Sequence, residues 1–207
     1  MAQIKKLFIH YGQFLGTGIV TQMLGFITFP ILTRLLTKEQ YGMMGLVTTT
    51  MLMAVAVAKA GLSDGIIRLY KDYDTTPERR RLFSSTVIVR GLILAIFTTI
   101  LYIVFFPYLR RYLKIGEVYS TCFLVMAAYL LIRPLNIIVL NILRIKGKTL
   151  FINATGLFGR ILSIGLSLSL LIYIAHDLYG YFLGVAVAEL TVSFILFYWF
   201  FKNYKIG

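Results

Sequence analysis

Six long apolar stretches dominate this sequence and constrain its fold. Each contains about 20 residues or more, enough for an α-helix to cross a hydrocarbon core about 30 Å thick. None shows the alternation of apolar and polar residues that marks the strands of a membrane β-barrel. The pattern predicts an all-α polytopic membrane protein with six transmembrane helices over residues 11–32, 42–62, 83–106, 121–143, 150–175 and 181–201.

The composition supports this class and excludes others. The 207 residues are 59% hydrophobic and only 14% charged, whereas soluble domains carry about 25% charged residues. A single cysteine excludes a disulfide scaffold, and so much apolar surface excludes a disordered chain. Because the six stretches occupy most of the chain, we expect one membrane lobe over residues 1–207 and no separate soluble domain.

The net charge of +13 has two explanations, nucleic-acid binding or basic loops at the cytoplasmic membrane face. If the N-terminus is cytoplasmic, twelve cations lie inside and five outside, which is the asymmetry of the positive-inside rule. The twelve are Lys5, Lys6, Arg68, Lys71, Arg79, Arg80, Arg81, Arg144, Lys146, Lys148, Lys202 and Lys205; the five are Arg34, Lys38, Arg110, Arg111 and Lys114. No nucleic-acid-binding motif accompanies them, so we expect no nucleic-acid partner and a multi-pass protein of the inner (cytoplasmic) membrane with both termini in the cytoplasm.

The arginine run at 79–81 falls in the first predicted cytoplasmic loop, from Lys71 to Arg81. We interpret the run as a determinant of topology that faces anionic lipid headgroups.

Four cations and one acid remain inside the predicted helices: Lys59, Arg90, Arg133, Arg160 and Glu189. Each costs about 2.5–3.5 kcal/mol at a helix centre, so each must face a wet cavity, form a pair or extend to the membrane surface. At 1.5 Å per residue, Arg133 lies about 16 Å, Arg160 about 15 Å and Glu189 about 12 Å from the helix ends. Lys59 and Arg90 lie nearer the cytoplasmic ends, where their side chains can also reach the membrane surface.

Two predicted helices carry polar side chains along one face, which is typical of a cavity wall or of hydrogen bonds between packed helices. The fourth carries Tyr129, Arg133, Asn136, Asn141 and Arg144; the fifth carries Asn153, Gly156, Arg160, Ser163 and Ser167.

A cavity holding all four cations and Glu189 has a formal charge of +3 and attracts anions. Arginine suits phosphate because its planar guanidinium donates to two oxygens at once. Glu189 is then the counter-ion of Arg133 or Arg160, or a proton-coupling site. Because no metal-ligand cluster, nucleophile–base pair or carboxylate pair can be assembled, we expect neither an enzyme nor a metal or other cofactor.

Two segments carry a family resemblance. Residues 32–42, LTRLLTKEQYG, resemble the junction between the first two helices of polysaccharide and O-antigen flippases, where Thr or Ser precedes Arg-Leu-Leu and Tyr-Gly follows a short polar step. Residues 61–70, GLSDGIIRLY, resemble the end of the second helix in the same proteins. They form the oligosaccharidyl-lipid branch of the multidrug/oligosaccharidyl-lipid/polysaccharide exporter superfamily. Many of its members carry an acid just before the glycine that corresponds to Gly61, where this chain has Lys59-Ala60.

The resemblance implies a two-lobe transporter of about twelve to fourteen helices, of which this chain is the N-terminal six-helix lobe. It implies transport of polyprenyl-pyrophosphate-linked oligosaccharide by alternating access, for surface polysaccharides such as lipopolysaccharide. The expected partners are the lipid-linked anionic oligosaccharide, membrane lipid and a second six-helix lobe, from the same chain or a second copy. Two alternatives remain: a cation-coupled multidrug exporter of the same superfamily, and a non-transporting scaffold or inactive half-protein.

Overall fold

The computed structural model describes residues 2–73, 76–113, 115–175 and 177–203. Over these ranges the chain forms α-helices joined by short connections, and no strand. The helices are α1 (Ala2–Leu35), α2 (Lys38–Lys59), α3 (Leu62–Tyr73), α4 (Pro77–Tyr112), α5 (Glu117–Ile145), α6 (Thr149–Leu170) and α7 (Leu178–Asn203), with a π-helical turn at Leu171–Ala175. The predicted all-helical class is confirmed.

Within the described residues, six helical segments are long and apolar enough to cross a membrane, as predicted. They are Leu15–Leu35, Lys38–Tyr70, Leu82–Tyr112, Tyr119–Ile145, Thr149–Tyr173 and Leu178–Lys202. Most of these segments are longer than the predicted apolar stretches. A helix can continue past its apolar residues into the membrane–water interface, where polar groups and water satisfy its end.

The second span contains a break that the hydropathy pattern does not show. α2 begins with a capping box, in which the Thr37 hydroxyl accepts from the Gln40 amide and the Gln40 side chain accepts from the Thr37 amide. It ends where Ala60 (φ 40°) and Gly61 (φ 72°) both adopt left-handed conformations. Two such residues in succession stop an α-helix, so α3 starts as a separate amphipathic helix.

The segment from Lys71 to Arg81 lies between the second and third membrane-length spans, as predicted, but much of it is helical rather than a loop. Lys71 lies within α3, and α4 begins at Pro77, so Arg79, Arg80 and Arg81 lie in the first turns of a helix. The cause is local: Thr76 has an extended backbone, its hydroxyl accepts from the Arg79 amide, and Pro77 occupies the first turn. Residues 74 and 75 lie outside the described ranges.

The buried apolar side chains of the described residues form two clusters. One joins the middle and end of α2, the first half of α5 and the start of α7, around Val47, Phe123 and Phe182. The other joins α3, the start of α4, the end of α5 and the end of α7, around Ile66, Phe83 and Leu196. The polar stretch of α5 near Arg133 lies between the two clusters, so this level of the bundle holds polar groups rather than a continuous apolar core.

Close packing of α6 against α7 depends on glycine. A Cβ added to Gly184 would lie 2.5 Å from the Ser167 backbone nitrogen, and one added to Gly159 would lie 2.8 Å from Val192 Cγ2. A side chain at position 184 would therefore force the helices apart. This packing determines which residues of α6 and α7 face each other and which face the space beside α5.

Candidate functional site: a cationic cavity

Two adjoining recesses beside α5 share Tyr129, Arg133, Arg160 and Ser163 in their walls. One lies between α1, α5, α6 and α7, has a volume of about 390 Å³ and includes Glu189. The other lies between α2, α5, α6 and α7, has a volume of about 380 Å³ and includes Lys59. We call them the Glu189 recess and the Lys59 recess, and together the cationic cavity.

One wall of this cavity is formed by residues of α6 that lie on one face of the helix. Thr155, Gly156, Gly159, Arg160 and Ser163 recur at helical spacing and line the Glu189 recess. Across the cavity, α1 approaches Arg160 at Gly25, where an added Cβ would lie 3.9 Å from Arg160 Nη2, an ordinary contact distance. Arg160 is an exposed residue of this wall.

Arg133 on α5 is held by a polar network that crosses to α7. Its Nη1 donates to both carboxylate oxygens of Glu189, at 3.0 and 3.1 Å. Asn136 Nδ2 donates to Glu189 Oε1 at 2.7 Å, and Ser193 Oγ donates to Asn136 Oδ1 at 2.8 Å. Every member of the chain from Ser193 to Arg133 therefore has a partner, as buried polar groups require.

Exposure separates the two ends of this network. The Glu189 side chain is 12% exposed, whereas the Arg133 side chain is 38% exposed and borders both recesses. The Nε and Nη2 groups of Arg133 make no hydrogen bond with any described residue. The guanidinium is consequently fixed on one side and available to the cavity on the other.

Arg160 and Lys59 differ from Arg133 because neither has an ion-pair partner among the described residues. The three cations against the single carboxylate leave the cavity wall with a formal charge of +2. In a recess with apolar neighbours such as Met51, Val185 and Phe182, these charges are weakly screened and attract anions.

Arg90, the fourth predicted cavity cation, lies elsewhere. It borders a separate groove of about 280 Å³ between α3 and α4, together with Leu62, Ile66, Phe83 and Val87. The charge of +3 expected for the cavity is therefore lowered to +2. In the sequence, Arg90 and Lys59 are both cations near the predicted cytoplasmic end of an apolar helix. The packing of α3 on α4 places Arg90 at a different groove from Lys59.

The other predicted polar residues divide between cavity wall and helix packing. Tyr129 and Ser163 line the cavity. Asn136 is fully buried in the network to α7, and Asn141 is buried without bordering either recess. Asn153 is half-buried and its Nδ2 has no hydrogen-bond partner among the described residues, while buried Ser167 donates to the Ile164 carbonyl where α6 meets Gly184.

Several residues of the site were not predicted from the sequence. Ser193 completes the network, and Thr21, Thr155 and Tyr181 line the cavity. The spacing of Ser193 from Glu189, one helical turn, is a signal that could have identified it. Isolated threonines on apolar helices carry no comparable signal, because most of them, like Thr155 with the Phe151 carbonyl, also bond to their own backbone.

No three His, Cys, Asp or Glu side chains within the described ranges are grouped as metal ligands.

Comparison with known proteins gives one match. The family model described as polysaccharide biosynthesis protein matches residues 13–207, which is nearly the whole chain. The chain matches no curated protein and no solved structure. Six membrane-length helices and this match together indicate a multi-pass membrane protein related to polysaccharide transport. The chain belongs to the polysaccharide biosynthesis protein family.

Proposed function

We propose that this chain is the cation-lined lobe of a flippase that moves polyprenyl-pyrophosphate-linked oligosaccharide across the cytoplasmic membrane by alternating access. The observation that carries the proposal is the cationic cavity, in which Arg160 and the free edge of Arg133 face one space. Both arginines lie near the middle of their membrane-length spans. The proposed role is transport without a catalytic step. Both termini are proposed to lie in the cytoplasm.

Charge and geometry together favour a phosphate-bearing substrate. A guanidinium donates two parallel hydrogen bonds to a phosphate, and such charge-assisted bonds are stronger in a weakly screened recess. A cationic drug would meet a cavity wall with a net positive charge, which disfavours the multidrug alternative. The polyprenyl tail needs no recess because the bilayer solvates it.

The cavity also fits one half of a larger transporter. On α1 the side chains of Met23, Phe26 and Phe29 are 60%, 80% and 57% exposed, on a helix that packs chiefly against α6. A second six-helix lobe, from the same polypeptide or a second copy, is the proposed partner that closes the cavity on this side. Membrane lipid is the alternative cover for these side chains.

The test is the amount of surface polysaccharide made by cells whose own copy of the gene carries Arg160→Gln. Loss of two charge-assisted hydrogen bonds lowers binding by at least about 1.5–3 kcal/mol, or about tenfold to a hundredfold. We expect surface polysaccharide to fall by at least tenfold at unchanged protein level, because the glutamine keeps most of the volume and removes the charge.

Arg90→Gln is the matched control, since Arg90 also lies on a membrane-spanning helix and has no ion-pair partner among the described residues. It borders the α3–α4 groove instead of the cavity. We expect Arg90→Gln cells to keep wild-type polysaccharide. Wild-type polysaccharide in the Arg160→Gln cells, with normal protein level, would refute the proposed function.

A further inference from the structure

The network around Arg133 has an asymmetry that bears on how firmly the cavity holds an anion. Glu189 Oε1 accepts two hydrogen bonds, one from Arg133 and one from Asn136. Asn136 is in turn anchored by Ser193. If Arg133 turned toward the cavity, Glu189 would still keep the bond from Asn136, so the carboxylate would not be left without a partner.

Arg133 is the member of the pair that has room to change its rotamer. Its side chain is long, 38% exposed and bounded by open volume in both recesses, whereas the Glu189 side chain is 12% exposed and tied to α5 through Asn136. A partly exposed arginine can change rotamer within the cavity, while a buried carboxylate with an anchored partner stays in place.

We propose that Glu189 is an internal competitor of the anionic substrate for Arg133, and that this competition limits the affinity of the cavity. This inference rests on the proposed function. An entering phosphate meets one fully available guanidinium, on Arg160, and a second, on Arg133, whose Nη1 edge is already occupied by a carboxylate. To gain that edge the phosphate must draw Arg133 away from Glu189, which keeps its bond from Asn136.

A limit on affinity has a clear use in transport. A cavity that binds its substrate too tightly on one side of the membrane cannot release it on the other, so binding must be strong enough for entry and weak enough for exit. The carboxylate lowers the positive charge of the wall from +3 to +2 and offers Arg133 a substitute partner when the phosphate leaves. Glu189 is a positioning and affinity-setting residue, and it need not touch the substrate.

The test is Glu189→Gln, measured by calorimetric titration of the full chain in nanodiscs of zwitterionic lipid with inorganic pyrophosphate. Removing one negative charge within about 7 Å of a bound anion, at an effective dielectric constant of about 20, tightens anion binding by about tenfold or more. A residue with a purely structural role would weaken binding, because its loss would disorder Arg133. The sign of the change therefore distinguishes the two roles.

Glu117→Gln is the matched control. Glu117 also pairs with an arginine, Arg110, at 2.9 Å, but that pair is exposed and lies far from the cavity residues along α5. We expect Glu117→Gln to leave pyrophosphate affinity unchanged. If Glu189→Gln fails to fold, Glu189→Asp keeps the charge and withdraws the carboxylate from Arg133 by about one carbon–carbon bond, for which we expect about threefold tighter binding.

Arg160→Gln in the same titration separates this inference from the proposed function. Weaker binding by Arg160→Gln, with binding by Glu189→Gln equal to or weaker than wild type, would overturn the competitor role and leave the proposed function intact. Failure of pyrophosphate to bind the wild-type chain, or equal affinity of wild type and Arg160→Gln, would overturn the proposed function and the competitor role with it.

Discussion

The polar network between α5 and α7 can be tested through stability, independently of any substrate. Asn136 is fully buried and makes two hydrogen bonds, to Glu189 Oε1 at 2.7 Å and from Ser193 at 2.8 Å. Asn136→Leu removes both bonds and keeps the number of side-chain heavy atoms and the branching at Cγ, and Asn141→Leu adds the same two methyl groups at another buried site of α5.

The magnitude follows from hydrogen bonds measured inside membrane proteins. These average about 0.6 kcal/mol and reach about 1.7 kcal/mol. The bond to the Glu189 carboxylate belongs at the upper end because it is charge-assisted, and the bond from the Ser193 hydroxyl belongs near the average. We therefore expect Asn136→Leu to lower the free energy of unfolding by about 2 kcal/mol.

Asn141→Leu is the comparison variant, since Asn141 is also buried on α5 and makes no hydrogen bond with a described residue. The assay is reversible unfolding of both variants in mixed micelles titrated with dodecyl sulfate, followed by tryptophan fluorescence of Trp199. We expect Asn141→Leu to stay within about 0.5 kcal/mol of wild type. Equal losses in the two variants would show that the network does not stabilise the packing of α5 on α7, and would refute the reasoning.

Three further predictions concern packing, backbone and topology. Gly184→Leu separates α6 from α7, because its Cβ would lie 2.5 Å from Ser167 backbone atoms, and we expect a loss of more than about 2 kcal/mol or no folded protein in fluorescence-detected size-exclusion chromatography. The control is Gly165→Leu on α6, where an added Cβ meets nothing within 4 Å; equal behaviour of the two would contradict the close packing. Ala60→Gly relieves the left-handed backbone at φ 40° and should raise unfolding stability by about 0.5–1 kcal/mol in thermal denaturation, and a lower midpoint would argue against strain at the α2–α3 break. In a Cys122→Ser background, Arg79→Cys should react with an impermeant maleimide only from the cytoplasmic side, because position 79 is exposed and lies on the predicted inner face. Arg111→Cys, also at an exposed position, should react only from the opposite side. The reverse pattern would contradict the topology that the basic residues predict.

The fold class was accessible from the sequence because a membrane imposes few solutions. An apolar stretch of about 20 residues has to satisfy its backbone hydrogen bonds internally, and a helix does so at nearly any composition. Depth follows from the same arithmetic, so the sequence predicted Arg133 near mid-membrane, and Arg160 and Glu189 well inside their helices, before any contact was known. The α2–α3 break was missed because it depends on backbone angles at Ala60 and Gly61 that hydropathy does not report.

The partners of these charges depended on tertiary structure. Periodicity put Arg133 and Asn136 on one face of a helix, but it could not say whether that face met a cavity or another helix, and in the fold Arg133 meets both while Asn136 meets only α7. Arg90 and Lys59 looked alike in the sequence, and only the packing of α3 against α4 removed Arg90 from the cavity. Length and hydropathy act along each helix separately, so they dictate spans and depth. Pairing of charges requires the rotation of one helix against the next, which glycines such as Gly159 and Gly184 decide by how closely they let the helices approach.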